Sequence, residues 1–472
     1  MFALLTMVVI GLTTASALSR GLRAGLWCGW FFTLFLLPTW CIVKVGAATL
    51  DLRTIAAVAG LACLLFTGRR PRNRAWHTAD LLVFSIVVMQ VASELLEGDF
   101  GIFTVGEAVR IWLLPYLVGR LLLDSASDLP RVLPFAVWTS SALALYAIVE
   151  AVSGVNLLNN VVGVVNETLQ QGAGYRWGLK RSQGFVEHPL YLGYLLVFAL
   201  PWAAAARRKS RKGEGPTWWK WAPMLIAIAI LSTGSRGPVA AGAITWFAPT
   251  IFAWPRRRLV AMGVLAVFAG AMAIANLDAV VDGLALVAGE KSDGEATLTI
   301  GDREVEYNGT THRFLLFEVY DQAISNLGPL GYGRQLRGVD LESVPSVFHS
   351  IDNHYLLLLL QRGYVGLGLF FLFAGAALAN LWRTAYTVGS PFAELAAGLF
   401  GATLAATVLL TSVWWSSDFG SAWLFTAGLA GNLRGLKPTT ERPLISTVLI
   451  PRPRFVAGHA PLRSHHAFEG FR

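Results

Sequence analysis

Charge is scarce in this chain. Only 14% of its 472 residues are Asp, Glu, Lys or Arg, where a soluble domain carries about a quarter. That shortage excludes an ordinary soluble globular protein. Cysteine is nearly absent too: Cys28, Cys41 and Cys63 all fall inside or at the ends of apolar stretches, where a thiol is a small packing group. They offer no disulfide framework or zinc spacing, and they say nothing of compartment. No Gly-rich or Ser-rich linker divides the chain, so one helical domain with insertions is expected. There is no Asp-x-Asp pair, no P-loop and no zinc-helix motif. No basic stretch precedes the first apolar run, so a cleaved signal peptide is not expected. Arg20 and Arg23 follow that run instead, which favours a retained helix with its start outside.

What the chain has in abundance is apolar surface, with 55% hydrophobic residues and a mean hydropathy of +0.55. Long runs such as Val260–Ala275 and Tyr364–Leu381 match the length that crosses a hydrocarbon core of about 30 Å. Thirteen such segments are predicted, at 2–18, 25–43, 54–67, 80–95, 103–123, 132–153, 189–206, 219–235, 237–254, 258–276, 354–381, 391–412 and 414–433. Because the first and third are short, twelve is the alternative count. The expected class is an all-α integral membrane protein.

The net charge of +9 is distributed as a topology signal and not as a nucleic-acid surface. Arg69, Arg70, Arg72 and Arg74, then Arg207, Arg208, Lys209, Arg211 and Lys212, then Arg256, Arg257 and Arg258 occupy alternate short loops. Arg383 and the basic tail after Arg434 continue the series. Thirteen spans place all of them on one side, which the positive-inside rule makes the cytoplasm. The other side receives loops at about 154–188 and 277–353. The second holds thirteen Asp/Glu against five Lys/Arg and is too long for a simple connection. Within it, 312–326 is expected to form a short amphipathic helix with Phe314, Phe317, Tyr320 and Ile324 on one face.

Three groups carry chemistry at this outer side. Ser232-Thr233-Gly234-Ser235-Arg236-Gly237 joins two spans, with glycines for a tight reversal and Pro238 in the next helix's first turn. It sets a guanidinium at the membrane boundary, a planar donor fork suited to phosphate; the plain alternative is a snorkelling interface arginine. Arg313 is followed by Gly328-Pro329-Leu330-Gly331-Tyr332-Gly333, a turn whose backbone could approach a ligand closely; a loop arginine is otherwise a solvated charge. Phe348-His349-Ser350-Ile351-Asp352-Asn353-His354-Tyr355 gathers two imidazoles and a carboxylate at the mouth of a span. A histidine there can take a proton from a hydroxyl, and Asp352 or Asn353 can cap the helix. Elsewhere, Glu107 and Arg110 share a helical face and read as an internal ion pair. Glu150 and Asp418 read as interfacial, and Trp218-Trp219 and Trp414-Trp415 as interface belts.

The ordered set of Thr233-Gly234-Ser235-Arg236-Gly237, Arg313 with Pro329-Leu330-Gly331-Tyr332-Gly333, and Asn353 through Gly363-Tyr364-Val365-Gly366 resembles the O-antigen ligase and polysaccharide polymerase superfamily. Arg181-Ser182-Gln183-Gly184-Phe185 with His188-Pro189 is similar to that family's upstream element. The likeness is concentrated at about 220–375, and the order of elements and the large loop between the second and third also match. The resemblance implies a GT-C-like membrane fold of about 12–13 helices with one large extracytoplasmic loop. It divides the chain into N-terminal helices at 1–219, a signature region at 220–375 with its loop at 277–353, C-terminal helices at 376–433 and a basic cytoplasmic tail at 434–472.

The function so implied is glycan transfer from an undecaprenyl diphosphate carrier at the outer face of a bacterial inner membrane. The acceptor would be a glycan, lipid A-core or a protein. Arg236 and Arg313, helped by Arg181, would hold the diphosphate, and His354, His349 or Asp352 would serve as base. The family commonly begins its post-loop helix with His-Asn, whereas this chain has Asp352-Asn353 in that register, so the base stays open among the three. The missing metal-binding motifs, taken with an outward site, argue for a lipid-linked donor and a reaction without metal or cofactor. The alternative is a transporter or flippase with Glu107, Arg110 and Glu150 lining a pathway, against which stands the absence of a two-half repeat.

Overall fold

The computed structural model describes residues 2–38, 42–45, 48–65, 76–98, 100–157, 174–176, 178–254, 296–300, 303–307, 311–340, 344–387 and 390–436. The expected span at 258–276, Cys41, Arg69 to Arg74, Arg256 to Arg258, most of the loop before 296 and the basic tail beyond 436 lie outside the described residues, as does the side chain of Arg313.

The described chain is mostly helical. In order come α1 (Phe2–Arg20), α2 (Leu22–Leu36), α3 (Leu52–Leu65), α4 (Thr78–Leu96), α5 (Ile102–Ala108), α6 (Leu114–Leu121), α7 (Leu129–Ser153), α8 (Pro189–Arg211), α9 (Ala222–Ser232) and α10 (Arg236–Phe252). Within the large loop lie α11 (Thr311–Val319) and α12 (Asp321–Ser325), and after it follow α13 (His354–Ala385), α14 (Ala393–Leu409) and α15 (Ser417–Gly435). Five described helical stretches are long and apolar enough to cross a membrane: Thr78–Leu96, Ala126–Ser153, Pro189–Arg211, His354–Ala385 and Ala393–Ser412. Residues Met1–Pro438 form one compact unit, and its principal core draws residues from Ala24 to Leu433, on both sides of the expected boundaries at 219 and 375.

Several elements depart from a simple apolar rod. The second span ends at Leu36, and Ile42–Val45 pairs with Ala48–Asp51 as an antiparallel hairpin. Between α5 and α6, Val109–Leu113 forms a π turn. Pro115 lies just beyond it; proline has no N–H for the ladder and crowds the carbonyl four residues back. Small residues set the closest crossing: a methyl added to Gly119 would strike the Phe425 carbonyl, and one added to Gly428 the Tyr116 carbonyl, as expected where two helix backbones touch.

The described part of the large loop makes a second core, with Leu316, Tyr320, Phe348, Leu356 and Leu360 buried together. The expected helix at 312–326 is split into α11 and α12 at Tyr320. Its buried face carries Leu315, Leu316 and Tyr320, while Phe317 is exposed. Asn353 caps α13, its Oδ1 accepting from Tyr355 N at 3.0 Å and Leu356 N at 3.1 Å.

The Gly-Pro turn at 328–333 approaches protein backbone. Tyr332 N donates to the Leu360 carbonyl at 2.8 Å, and Val365 N to the Pro329 carbonyl at 3.2 Å. Ser93 Oγ on α4 donates to both the Leu330 and Gln361 carbonyls, at 2.8 and 3.1 Å. These contacts wedge a non-helical residue into α13: Gly363 has φ 64° and ψ −171°, a region open essentially to glycine alone. The loop and the long helix are thus locked to each other through Gly331 and Gly363. Replacing Gly363 by Ala should cost roughly 2–4 kcal/mol, from the backbone strain plus the clash with the Pro329 carbonyl. Thermal unfolding in detergent should register a clear drop; an unchanged midpoint would show that the wedge is not needed.

Candidate functional site

Two connections build the site: residues 181–188, leading into α8, and residues 232–237, joining α9 to α10. Sequence gives each a reason to turn. Gly184 and Gly234 have φ of 62° and 58°, values that side chains with a Cβ adopt only with strain. His188 caps α8, its Nδ1 accepting from Leu190 N at 3.2 Å, and Pro189 occupies the first helical position, where its missing N–H costs nothing.

Buried carboxylates hold the first connection in place. Glu150, 1% exposed, accepts from Gly184 N at 2.7 Å, Gln183 N at 3.2 Å and Asn156 Nδ2 at 3.0 Å. Asp418, fully buried, accepts from Glu187 N at 3.1 Å through one oxygen and faces Arg53 at 3.4 Å through the other. Arg53 also donates to the Ser417 carbonyl at 3.0 Å and the Leu34 carbonyl at 3.2 Å. Glu150 and Asp418, expected near span ends, do lie at helix ends, and both are buried in the protein as anchors for backbone N–H groups. A burial cost of this size requires such donors.

The two connections are stitched together. Ser182 N donates to the Ser232 carbonyl at 3.1 Å, and the two serine hydroxyls lie 2.8 Å apart. Arg181 donates to the Thr233 carbonyl at 3.2 Å and to Ser235 Oγ at 2.9 Å; Arg176 donates to the Gly234 carbonyl at 2.8 Å. Two guanidinium groups thus sit on one turn and donate to neutral oxygens. Among the described residues neither forms an ion pair. Burial, and then the charge of Arg176, press Arg181 below its ordinary value. Arg236 opens α10 on the same turn and is exposed. Three arginines and a helix N-terminus therefore converge, a combination that favours an anion.

Two titratable groups end the first connection, Glu187 and His188, and the second of them lies next to Arg181. Glu187 is half-buried, and burial followed by the neighbouring Asp418 carboxylate pushes it up to about 7, with Arg53 pulling the other way. Its carboxylate makes no hydrogen bond among the described residues. Burial and then Arg181 press the His188 imidazole down to about 4. At neutral pH His188 is therefore uncharged, and with Nδ1 accepting, Nε2 carries the proton. Asp352, Glu187 and Asp418 all lie near enough to Tyr191 to act on its hydroxyl.

The residues expected from the sequence are distributed unevenly around this centre. Arg181 and Arg236 come together on the turn. Asp352 is half-buried and belongs with Glu187 beside Tyr191. His354 is 6% exposed, with Trp415 and Phe370 rings 5.4 and 5.7 Å away and both ring nitrogens without a partner among the described residues. His349 turns aside, its Nε2 donating to the Val344 carbonyl at 3.0 Å. Arg313 lies in α11, with its side chain outside the described residues. Two residues of the cluster were not anticipated. Glu187 adjoins the recognisable His188-Pro189 pair, the one signal that could have found it; Arg176 had none. Of the Trp pairs, Trp219 is buried and Trp415 packs on Trp112 at 5.6 Å, while Trp414 is exposed. Among the described residues, no three His, Cys, Asp or Glu side chains gather as metal ligands would.

Comparison with known proteins gives no match, either to a protein-family model or to a curated protein.

If Glu150 anchors the loop, Glu150→Ala should release it. The loss of charge-assisted bonds, on the order of 2 kcal/mol, should speed hydrogen exchange at Gln183 and Gly184 about 30-fold. Unaltered exchange there would show that the loop is held by other contacts.

Proposed function

We propose that this protein is a glycan transferase of the O-antigen ligase or polysaccharide polymerase type, acting at the outer face of a bacterial inner membrane on an undecaprenyl diphosphate-linked donor. The observation that carries the reading is the arginine cluster of Arg176, Arg181 and Arg236 about the turn 232–237, with His188 next to Arg181, and with Glu187 and Asp352 gathered near Tyr191 on the helix that His188 caps. The motif resemblance supplies the substrate class; the cluster supplies the chemistry. Arg313, on the loop, would complete the diphosphate site.

In this mechanism the arginines bind the donor diphosphate. Glu187 or Asp352 takes the proton of the acceptor hydroxyl, and the oxygen forms a bond to the anomeric carbon. The bond from that carbon to the phosphate oxygen breaks, the electron pair leaves on undecaprenyl diphosphate, and the anomeric configuration inverts. Fixed guanidinium donors stabilise the charge that develops on the leaving group. A carboxylate near 7 suits a general base, because a matched pKa keeps the basic form populated without making it too weak. His354, enclosed by aromatic rings, would need to leave its pocket to play that part, so the geometry favours the two carboxylates.

Transport has less behind it. Glu107 pairs with Arg110 at 3.8 Å and with Arg334, Arg110 with Asp51 at 2.7 Å, and Glu150 with backbone N–H groups. Charges so committed do not mark an open pathway.

The test is release of undecaprenyl diphosphate from a native lipid-linked glycan by the protein in lipid, with an acceptor mixture from the same cells. Wild type should release it, and product size separates polymerase from ligase. Arg181→Ala should slow release by about 10²–10³-fold. Absence of release by wild type, with labelled glycan crossing the bilayer, would replace the transferase by a transporter. The pH profile offers a separate check. Glu187 is basic only when ionised, so the wild-type rate should climb as pH rises through about 7, and Glu187→Gln should remove that limb. A limb that persists in Glu187→Gln would pass the role to Asp352.

A further inference from the structure

At the other end of α8 the structure holds a second arrangement that glycan transfer does not use. Leu200, Ala204, Arg207, Arg208 and Arg211 recur at helical spacing on one face, so that face passes from apolar to basic along the helix. It borders a groove of about 730 Å³ whose other walls include Pro223 on α9, Trp246 and Pro249 on α10, and Glu394 and Gly398 on α14. A second groove of about 490 Å³ shares Leu200 and Trp246 with the first and continues between α9 and α10 past Ile230, Leu231, Val239 and Phe247. Every side chain lining this extension is apolar.

The charges at the basic end are unevenly matched. Arg208 pairs with Glu394, which cancels one guanidinium. Arg207 and Arg211 have no ion pair among the described residues. Arg207 Nε is moreover buried with no hydrogen-bond partner, and an orphaned buried donor of this kind is costly. Something with oxygen acceptors and negative charge would satisfy it. The apolar extension has the opposite need: Leu231, Trp246 and Phe247 leave 50%, 38% and 58% of their surface uncovered.

We propose that this composite groove holds one anionic phospholipid, its phosphate on Arg207 and Arg211 and an acyl chain in the slot between α9 and α10. A free phosphate would leave the slot empty. A zwitterionic headgroup would bring its own cation toward two arginines. Basic pockets at one end of membrane helices are suited to anionic headgroups for this reason. α9 is about 16 Å long at 1.5 Å per residue, which gives the slot room for most of a fatty chain.

The experiment is native mass spectrometry on the purified full chain, equilibrated with equal amounts of phosphatidylglycerol and phosphatidylcholine of the same acyl composition. One phosphatidylglycerol should be retained at least 10-fold in preference. The double variant Arg207→Gln/Arg211→Gln should lose that preference. Ala243→Trp, which fills the slot and leaves the charges alone, should lose the bound lipid as well, so the outcome does not hang on one variant. Equal retention of the two lipids by wild type overturns the proposal. So does full displacement by soluble glycerol phosphate, which would make this a phosphate site with no role for the slot. Undecaprenyl diphosphate release is a separate readout, and neither result depends on the other.

Discussion

A carboxylate removed from water needs donors, and in this chain two such groups determine where the connection at 183–187 sits. Glu150 at the end of α7 and Asp418 at the start of α15 take their donors from the backbone of residues 183–187. Helices far apart in sequence thereby clamp a connection that would otherwise be an unsupported loop. Everything at the site follows from that clamp. Ser182 can reach Ser232, Arg181 can lie across the turn at 233–235, and Glu187 is left half-buried with its side chain unengaged. Arg53 completes the arrangement by balancing Asp418 from beneath.

Much of the helical layout was legible in the sequence because a bilayer imposes a simple rule, about twenty apolar residues per crossing. α4, α7, α8, α13 and α14 all fall where apolar runs predict them. The α13 cap at Asn353, the reversal at Gly234 and the proline start of α8 were equally readable, since each depends on neighbours a few residues away. What escaped was long-range. Gly184 meets Glu150 and Glu187 meets Asp418 across 34 and 231 residues, and no local pattern encodes such pairings. The same holds for the Gly-Pro turn at 328–333, which reads as a ligand-binding loop and is instead packed against Gly363. Phe317 misled because α11 is buried through Leu315 and Leu316, on the neighbouring side of the helix. For the site, the sequence pointed to Arg181, Arg236 and Asp352, while the shielding of His354 by Trp415 depends on a contact 61 residues away.

The two ends of α8 show one physical theme used twice. At its start, arginines rest on neutral oxygens beside a titratable carboxylate, an arrangement that leaves cationic charge for a substrate. At its end, Arg207 and Arg211 rest beside an apolar slot, an arrangement suited to a lipid that stays. Between them Pro201 packs on Gly398, and the helix is buried for most of its length. One long helix thus separates the proposed transfer site from the proposed lipid site.

The central claim is that the cluster on the 232–237 turn is a diphosphate site. Its most direct test is thermal stabilisation of the purified protein by undecaprenyl diphosphate against undecaprenyl monophosphate, in wild type and in Arg176→Ala/Arg181→Ala. The account predicts greater stabilisation of wild type by the diphosphate, and loss of that difference in the double variant. Equal stabilisation by both lipids in wild type, or a diphosphate preference that survives the double variant, would contradict it.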